Sequence, residues 1–205
     1  MTYKVDSKDA SDIAIIPQFY AGREVFITGA TGLIGKLLVE RLLSTCPDIR
    51  RLYLLVRMKR GESPETRLNN LRDCSVFEVL RKNNPDQLKK LSFIPGDIMK
   101  FDLGLTDKTI ADLHNVSVVF HLAATVNMNM QLDVAVKINT IATISLLDIC
   151  DRLPKMAGFI HVSTGYCAAE RTLVEEIVYP LPRPLEVMIE ESINSEQMTQ
   201  AEVKR

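Results

Sequence analysis

The stretch Glu24–Leu43, EVFITGATGLIGKLLVERLL, constrains the fold more than any other part of this 205-residue chain. Val25, Phe26, Ile27 and Thr28 form a short β-branched and aromatic run, which predicts a buried strand. Gly29, Gly32 and Gly35 follow in G-x-x-G-x-x-G spacing. Beyond them Leu33, Ile34, Leu37, Leu38, Leu42 and Leu43 recur at helical spacing and are expected on the buried face, with Lys36, Glu40 and Arg41 on the polar one. Strand, glycine turn and helix are the context that a dinucleotide-binding fingerprint requires. The three glycines serve, in turn, a sharp bend off the strand, close approach of a pyrophosphate, and close packing of helix on strand. The unpaired N–H groups of the helix start favour an anion there. Thr28, Gly29, Thr31, Gly32, Leu33, Ile34 and Gly35 are therefore the candidate cofactor residues of this turn. A glycine-rich turn that binds nothing is the plainer alternative; the flanking strand and amphipathic helix argue against it.

The pattern continues downstream. Arg51–Val56 reads as a second strand, followed by Arg57, Lys59 and Arg60, with no acid at its end. A site for the unphosphorylated cofactor places a carboxylate about 20 residues past the glycines, on the ribose 2′-OH. A guanidinium instead suits a 2′-phosphate. A solvated basic loop would look the same in sequence. At this strand end the basic run favours NADPH over NADH, with Arg57 foremost. Ser63-Pro64-Glu65-Thr66 predicts a helix start, and Asn83-Asn84-Pro85 a break. Leu91–Pro95 is a third strand, ending in Gly96-Asp97-Ile98, where Asp97 either accepts the adenine amino group or caps a turn.

Asp107–Leu113 predicts a short helix, and Val116–Ala124 a fourth strand whose small residues Ala123 and Ala124, with Thr125, would let a ribose lie close. His121, inside that apolar strand, reads as a packed core histidine. Asn127–Met130 is expected as a loop or helical turn over the cleft. Val134–Asp151 predicts a strong helix with Val134, Ile138, Ile141, Leu146, Leu147 and Cys150 buried; Asn139 among them needs hydrogen-bond partners. Phe159–Ser163 is a fifth strand with Ser163 and Thr164 at its carboxyl end, where ligands bind in open α/β sheets.

Five strands alternating with helices predict a Rossmann-type, doubly wound parallel sheet of the α/β class, incomplete on its carboxyl-terminal side. Residues 1–16 are expected as a flexible tail, 17–184 as the partial dinucleotide-binding domain, and 185–205 as a polar, helical tail. The proline-rich YPLPRP at Tyr179–Pro184 is no central strand. Lys plus Arg number 25 against 26 Asp plus Glu, so no charge excess calls for nucleic acid. Cys46, Cys74, Cys150 and Cys167 are scattered, which suits reduced thiols in an intracellular protein and no metal site. No apolar run reaches the roughly 18 residues of a membrane helix.

Several blocks together resemble the extended short-chain dehydrogenase/reductases and, within them, the alcohol-forming fatty acyl-CoA reductases: Ile16–Leu43, Leu52–Arg57, Phe93–Ile98, Val118–Val126 and Phe159–Cys167. The likeness spans roughly residues 17–184. It implies NADPH-dependent reduction of a long-chain acyl-CoA to a fatty alcohol through the aldehyde. It also implies that Thr164, with Ser163, meets the substrate carbonyl oxygen, that Asn139 helps hold a relay water, and that the protein works at a peroxisomal or endoplasmic reticulum membrane. No anchoring segment is present in this sequence.

The family's proton donor is a tyrosine with a lysine four residues on, and no Tyr-x-x-x-Lys occurs here: Tyr166 precedes Glu170, and Tyr179 precedes Arg183. The resemblance places that motif further downstream, so the chain reads as the amino-terminal portion of a reductase. Alternatives are a non-catalytic NADPH-binding short form that pairs with the full enzyme, a nucleotide-sugar epimerase or dehydratase, and thioester capture by Cys167, for which no nearby base is evident. An unfinished sheet edge is also expected to promote self-association.

Overall fold

The computed structural model describes residues 10–58, 62–166 and 171–202. Lys59, Arg60 and Cys167, named above, lie outside the described residues. Among the described residues there are five parallel strands: β1 (Glu24–Thr28), β2 (Arg51–Val56), β3 (Leu91–Pro95), β4 (Val116–His121) and β5 (Gly158–His161). Their order in the sheet is β3-β2-β1-β4-β5. The chain winds outward from β1 to β3, then returns to the other side of β1 to lay down β4. Two neighbouring strands therefore lead their crossovers in opposite directions, and a crevice opens between their carboxyl ends.

Alternation along the strands builds two cores. On one face Val25, Ile27, Leu52, Leu54, Val56, Val118 and Phe120 meet helix α2 (Leu33–Thr45) through Val39, Leu42 and Leu43. The same core takes Leu71 from α3 (Pro64–Arg72) and Leu80 from α4 (Glu78–Asn83). On the other face Phe26, Leu55, Val116 and Val119 meet Ile110 of α5 (Asp107–Asp112) and Leu146 and Ile149 of α7 (Ala142–Asp151). The register of β4 on β1 shifts by one residue between Glu24 and Val25, which skips Ser117 and brings Val116 and Val119 onto one face. Local signals act as their chemistry requires: the Ser63 hydroxyl accepts from the Thr66 N–H and starts α3, and Thr106 does the same for α5.

The structure differs from the sequence reading in several places: β4 ends at His121 rather than Ala124, and Val134, Ile138 and Ile141 are only partly buried. Helix α1 (Ala10–Tyr20) occupies part of the expected tail and ends on Tyr20, which packs against the core. The buried face of α2 starts only at Gly35; Leu33, Ile34 and Leu37 are 74%, 59% and 50% exposed. The first turn of α2 stands at the carboxyl edge of the sheet, past the reach of the core. The long helix after β4 is three segments: α6 (Leu132–Val136), a π-helical stretch Lys137–Ile141, and α7. The wider π turn changes the phase, so Ala142 and Ile149 are buried and Leu147 is 42% exposed. Strand β5 ends at His161, two residues short of Ser163.

Among the described residues strand β5 has one neighbour, and Ile160 and Val162 on and beside it are 37% and 38% exposed. Helix α8 (Leu185–Glu202) packs on α6. No helix among the described residues is long and apolar enough to cross a membrane.

The phase of α7 gives a direct test. Leu146→Ala should cost about 2–5 kcal/mol in urea unfolding, while Leu147→Ala should stay within about 0.5 kcal/mol. Equal costs would mean that the helix is rotated.

Candidate functional site

The site begins where β1 ends. Gly29 has φ +71°, and a Cβ there would lie 2.6 Å from the Ala123 nitrogen and from the Leu122 carbonyl carbon. A Cβ on Gly35 would lie 2.3 Å from the Gly29 oxygen and 2.6 Å from the Ala30 Cα. Internal packing alone demands glycine at both positions. Gly32 is different: its Cβ would meet only the Gly29 oxygen, at 3.3 Å, and open space elsewhere. That contact could be relieved by a small shift, so the missing side chain there leaves room for an external group. Gly32 is also the N-cap of α2, and no side chain caps the helix. Thr31, Leu33 and Ile34 beside it are exposed. An open helix start, with first-turn N–H groups that have no partner within the helix, fits a pyrophosphate.

Arg57 is exposed just beyond β2. Its guanidinium makes no ion pair with any described residue; its carbonyl oxygen accepts from the Arg67 Nη1. The nearest acid in sequence, Glu62, pairs with Arg67 at 3.6 Å. Asp97 is half-buried after β3 and its Oδ1 accepts from the Met99 N–H at 3.1 Å, so it caps a turn. Ile98 packs against the second core. The carboxyl edges of β3, β2, β1 and β4 thus line up Asp97 and Ile98, Arg57, the glycine turn, and Ala123–Thr125.

Thr28 belongs to the support of this turn rather than to its surface. It is fully buried, its Oγ1 lies 2.6 Å from His121 Nδ1, and it accepts from the Ala123 N–H at 3.2 Å. His121 is 1% exposed and stacks on His161, ring centroids 5.3 Å apart. Its Nε2 lies 3.1 Å from Thr143 Oγ1, and that hydroxyl donates to the Asn139 carbonyl oxygen at 3.2 Å. Burial first, and His161 second, pull the His121 pKa down to about 4, so the ring is neutral at pH 7.

Asn139 lies in the π-helical stretch and is exposed, not buried as its helix pattern suggested. Its side-chain amide clamps Thr125 on both sides: Oδ1 accepts from the Thr125 N–H at 2.8 Å, and Nδ2 donates to the Thr125 carbonyl at 3.1 Å. The loop continues through two further side-chain turns, Asn127 N–H to Thr125 Oγ1 and Asn129 N–H to Asn127 Oδ1. Sequence reasoning missed Thr143. Its place four residues after Asn139, one helical turn on, was the available signal.

Ser163 and Thr164 are exposed beyond the carboxyl end of β5, beside the end of β4. Thr164 Oγ1 accepts from the Tyr166 N–H at 3.2 Å, which leaves its own proton free to donate outward. Tyr166 is 85% exposed. Burial, then Asp151, pushes the Cys150 thiol up to about 12, so it forms no thiolate near neutrality. Among the described residues no cluster of three or more potential metal ligands occurs.

Two outcomes follow from this geometry. Gly29→Ala should abolish cofactor binding or folding, because the substitution combines a left-handed φ with a backbone clash. The folded pKa of His121 lies below its unfolded value of about 6.5, so its contribution to stability is present above pH 6.5 and is lost as the pH falls towards 4. Urea melts should lose up to about 3 kcal/mol across that window, and His121→Asn should flatten the slope.

Comparison with known proteins agrees with this geometry. Fatty acyl-CoA reductase 1 of Gallus gallus is 39% identical over 168 residues, covering 82% of this chain and 33% of that protein. The Xenopus laevis protein of the same name is 40% identical over 178 residues, covering 85% and 34%. The chain thus spans about a third of the length of the curated relatives it matches. Among solved structures, the reductase domain of a non-ribosomal peptide synthetase from Mycobacterium tuberculosis superposes with a TM-score of 0.56 at 29% identity, covering 79% of this chain and 39% of that one. Residues 27–204 match the NAD-binding family described as male sterility protein. With its glycine turn, switch-point crevice and Rossmann-type sheet, the chain belongs to that family of nicotinamide-cofactor-binding oxidoreductases.

Proposed function

We propose that the chain is the cofactor-binding part of an NADPH-dependent fatty acyl-CoA reductase that converts a long-chain acyl-CoA to a fatty alcohol by way of the aldehyde. The observation that carries this reading is the open, uncapped helix start at Gly32, with Arg57 and no acid at the end of β2. The likeness to fatty acyl-CoA reductases supplies the substrate class.

The roles follow from the positions. Gly32, Leu33 and Ile34 offer backbone to the pyrophosphate, with Thr31 at the turn. Arg57 faces the 2′-phosphate, where a planar guanidinium can make paired, charge-assisted hydrogen bonds; Lys59 and Arg60 follow it in the sequence. Asp97 and Ile98 border the adenine, and Ala123, Ala124 and Thr125 the nicotinamide ribose. When bound, the cofactor supplies hydride. Two hydrides and two protons turn a thioester into an alcohol and free thiol. Thr164, with Ser163, donates to the carbonyl oxygen where negative charge develops, the place where a fixed donor lowers a barrier most. Asn139 holds the loop that borders the ribose, through Thr125.

A general acid is still required. Tyr166 is a poor candidate: it is mostly exposed, and Glu170 rather than a cation stands four residues on. On this reading the 205-residue chain by itself binds NADPH without reducing acyl-CoA, and the open edge of β5 is the surface through which it self-associates.

Calorimetric titration with NADPH and NADH, side by side, tests the reading. NADPH should bind more tightly, and Arg57→Ala should weaken NADPH by about tenfold or more while leaving NADH little changed. Equal affinities, or an Arg57→Ala effect on both cofactors, would contradict it. Oxidation of NADPH by palmitoyl-CoA in the presence of this chain alone would overturn the assignment of a missing acid.

A further inference from the structure

His121 connects two parts of the crevice that are far apart in sequence. On one side is the Thr28–Gly29 turn; on the other is the clamp that Asn139 closes on Thr125. The bond from the Thr143 hydroxyl to the Asn139 carbonyl sets the proton count for a neutral ring. The Thr143 hydroxyl donates its only proton to the Asn139 carbonyl, so it can only accept from His121 Nε2. His121 therefore carries its proton on Nε2, and Nδ1 is an acceptor. The Thr28 hydroxyl then donates to Nδ1 at 2.6 Å while accepting from the Ala123 N–H. Every polar atom of the ring is committed, inside a strand that is otherwise apolar.

We propose that His121, in its Nε2–H form, is a positioning residue of the cofactor crevice: it ties the glycine turn to the Asn139–Thr125 clamp and so fixes the loop after β4 where the nicotinamide half of the dinucleotide must lie. The inference rests on the cofactor reading above. Arg57, beyond β2, marks the adenosine half, so the other half runs across β1 to the end of β4. The loop there is exposed and is held at Thr125 by one side chain, Asn139. The Asn139 backbone is in turn fixed through Thr143 and His121. His121 is buried behind the crevice wall, 1% exposed. It acts by holding others, and a ring with the other tautomer would take the Thr143 proton away from the Asn139 carbonyl.

The test uses the 205-residue chain, labelled with ¹⁵N. Imidazole spectra of the wild type should show His121 protonated on Nε2 and bare on Nδ1; the opposite tautomer overturns the proposal. Thr143→Val removes the link on the far side of the ring and touches neither the glycine turn nor Thr125. It should raise hydrogen exchange at the Thr125 amide by about tenfold and weaken NADPH by a similar factor, and Thr143→Ser should restore both to within about twofold. Unchanged exchange and unchanged affinity overturn the proposal. So does faster exchange with unchanged affinity, which would make the network structural only. Should Thr143→Val fail to fold, Thr143→Ala carries the same comparison. If the wild type binds no NADPH, the cofactor reading fails, while the tautomer and the Thr125 exchange still decide whether His121 holds the loop.

Discussion

At Gly29 the backbone leaves β1 in a left-handed conformation and presses against the Leu122–Ala123 peptide, with no room for a side chain. That contact sets the rest of the site. It places the turn against the end of β4, and Gly35 brings α2 down onto the same turn through its own missing Cβ. The helix start is then held at the carboxyl edge of the sheet with its first N–H groups uncovered. Two glycines serve packing inside the protein, and only Gly32 is left facing space that packing does not need.

The sheet order makes a crevice of this turn. Because β1 lies between β2 and β4, the same edge gathers a cation from the end of β2 and small residues from the end of β4. Their separation in sequence, from Arg57 to Thr125, disappears in the fold. Burial does the complementary work behind them. The strand residues under the site are among the least exposed in the molecule, and the two polar ones, Thr28 and His121, satisfy each other. A buried imidazole with both nitrogens engaged joins two strands and a helix without introducing a charge.

Much of the fold was legible in the sequence, because continuous apolar, β-branched runs, glycine spacing and capping hydroxyls are local signals. The five strands, their parallel sense and the helix start at Ser63 all follow from them. What sequence could not show depends on tertiary placement. Leu33, Ile34 and Leu37 carry the right spacing for a buried face, yet they lie past the end of the core that would cover them. Leu147 and Asn139 depart from their helical pattern because a π turn shifts the phase, and no residue type announces such a turn. The buried duty of Thr28 was hidden as well: the residue before a fingerprint glycine is as compatible with a ligand contact as with a bond to a neighbouring strand. His121 was recognisable as a core residue, but its role as a link required Thr143, which only the folded helix brings to it.

The central claim is that one edge of this sheet, and no other surface, receives the dinucleotide. Amide shift mapping of the ¹⁵N-labelled chain during titration with NADPH tests it most directly. The account predicts that the perturbed amides concentrate at residues 29–35, at Arg57 and at residues 123–125. Perturbations centred on the amino-terminal ends of the strands, or on the α3–α4 side away from the glycine turn, would contradict it.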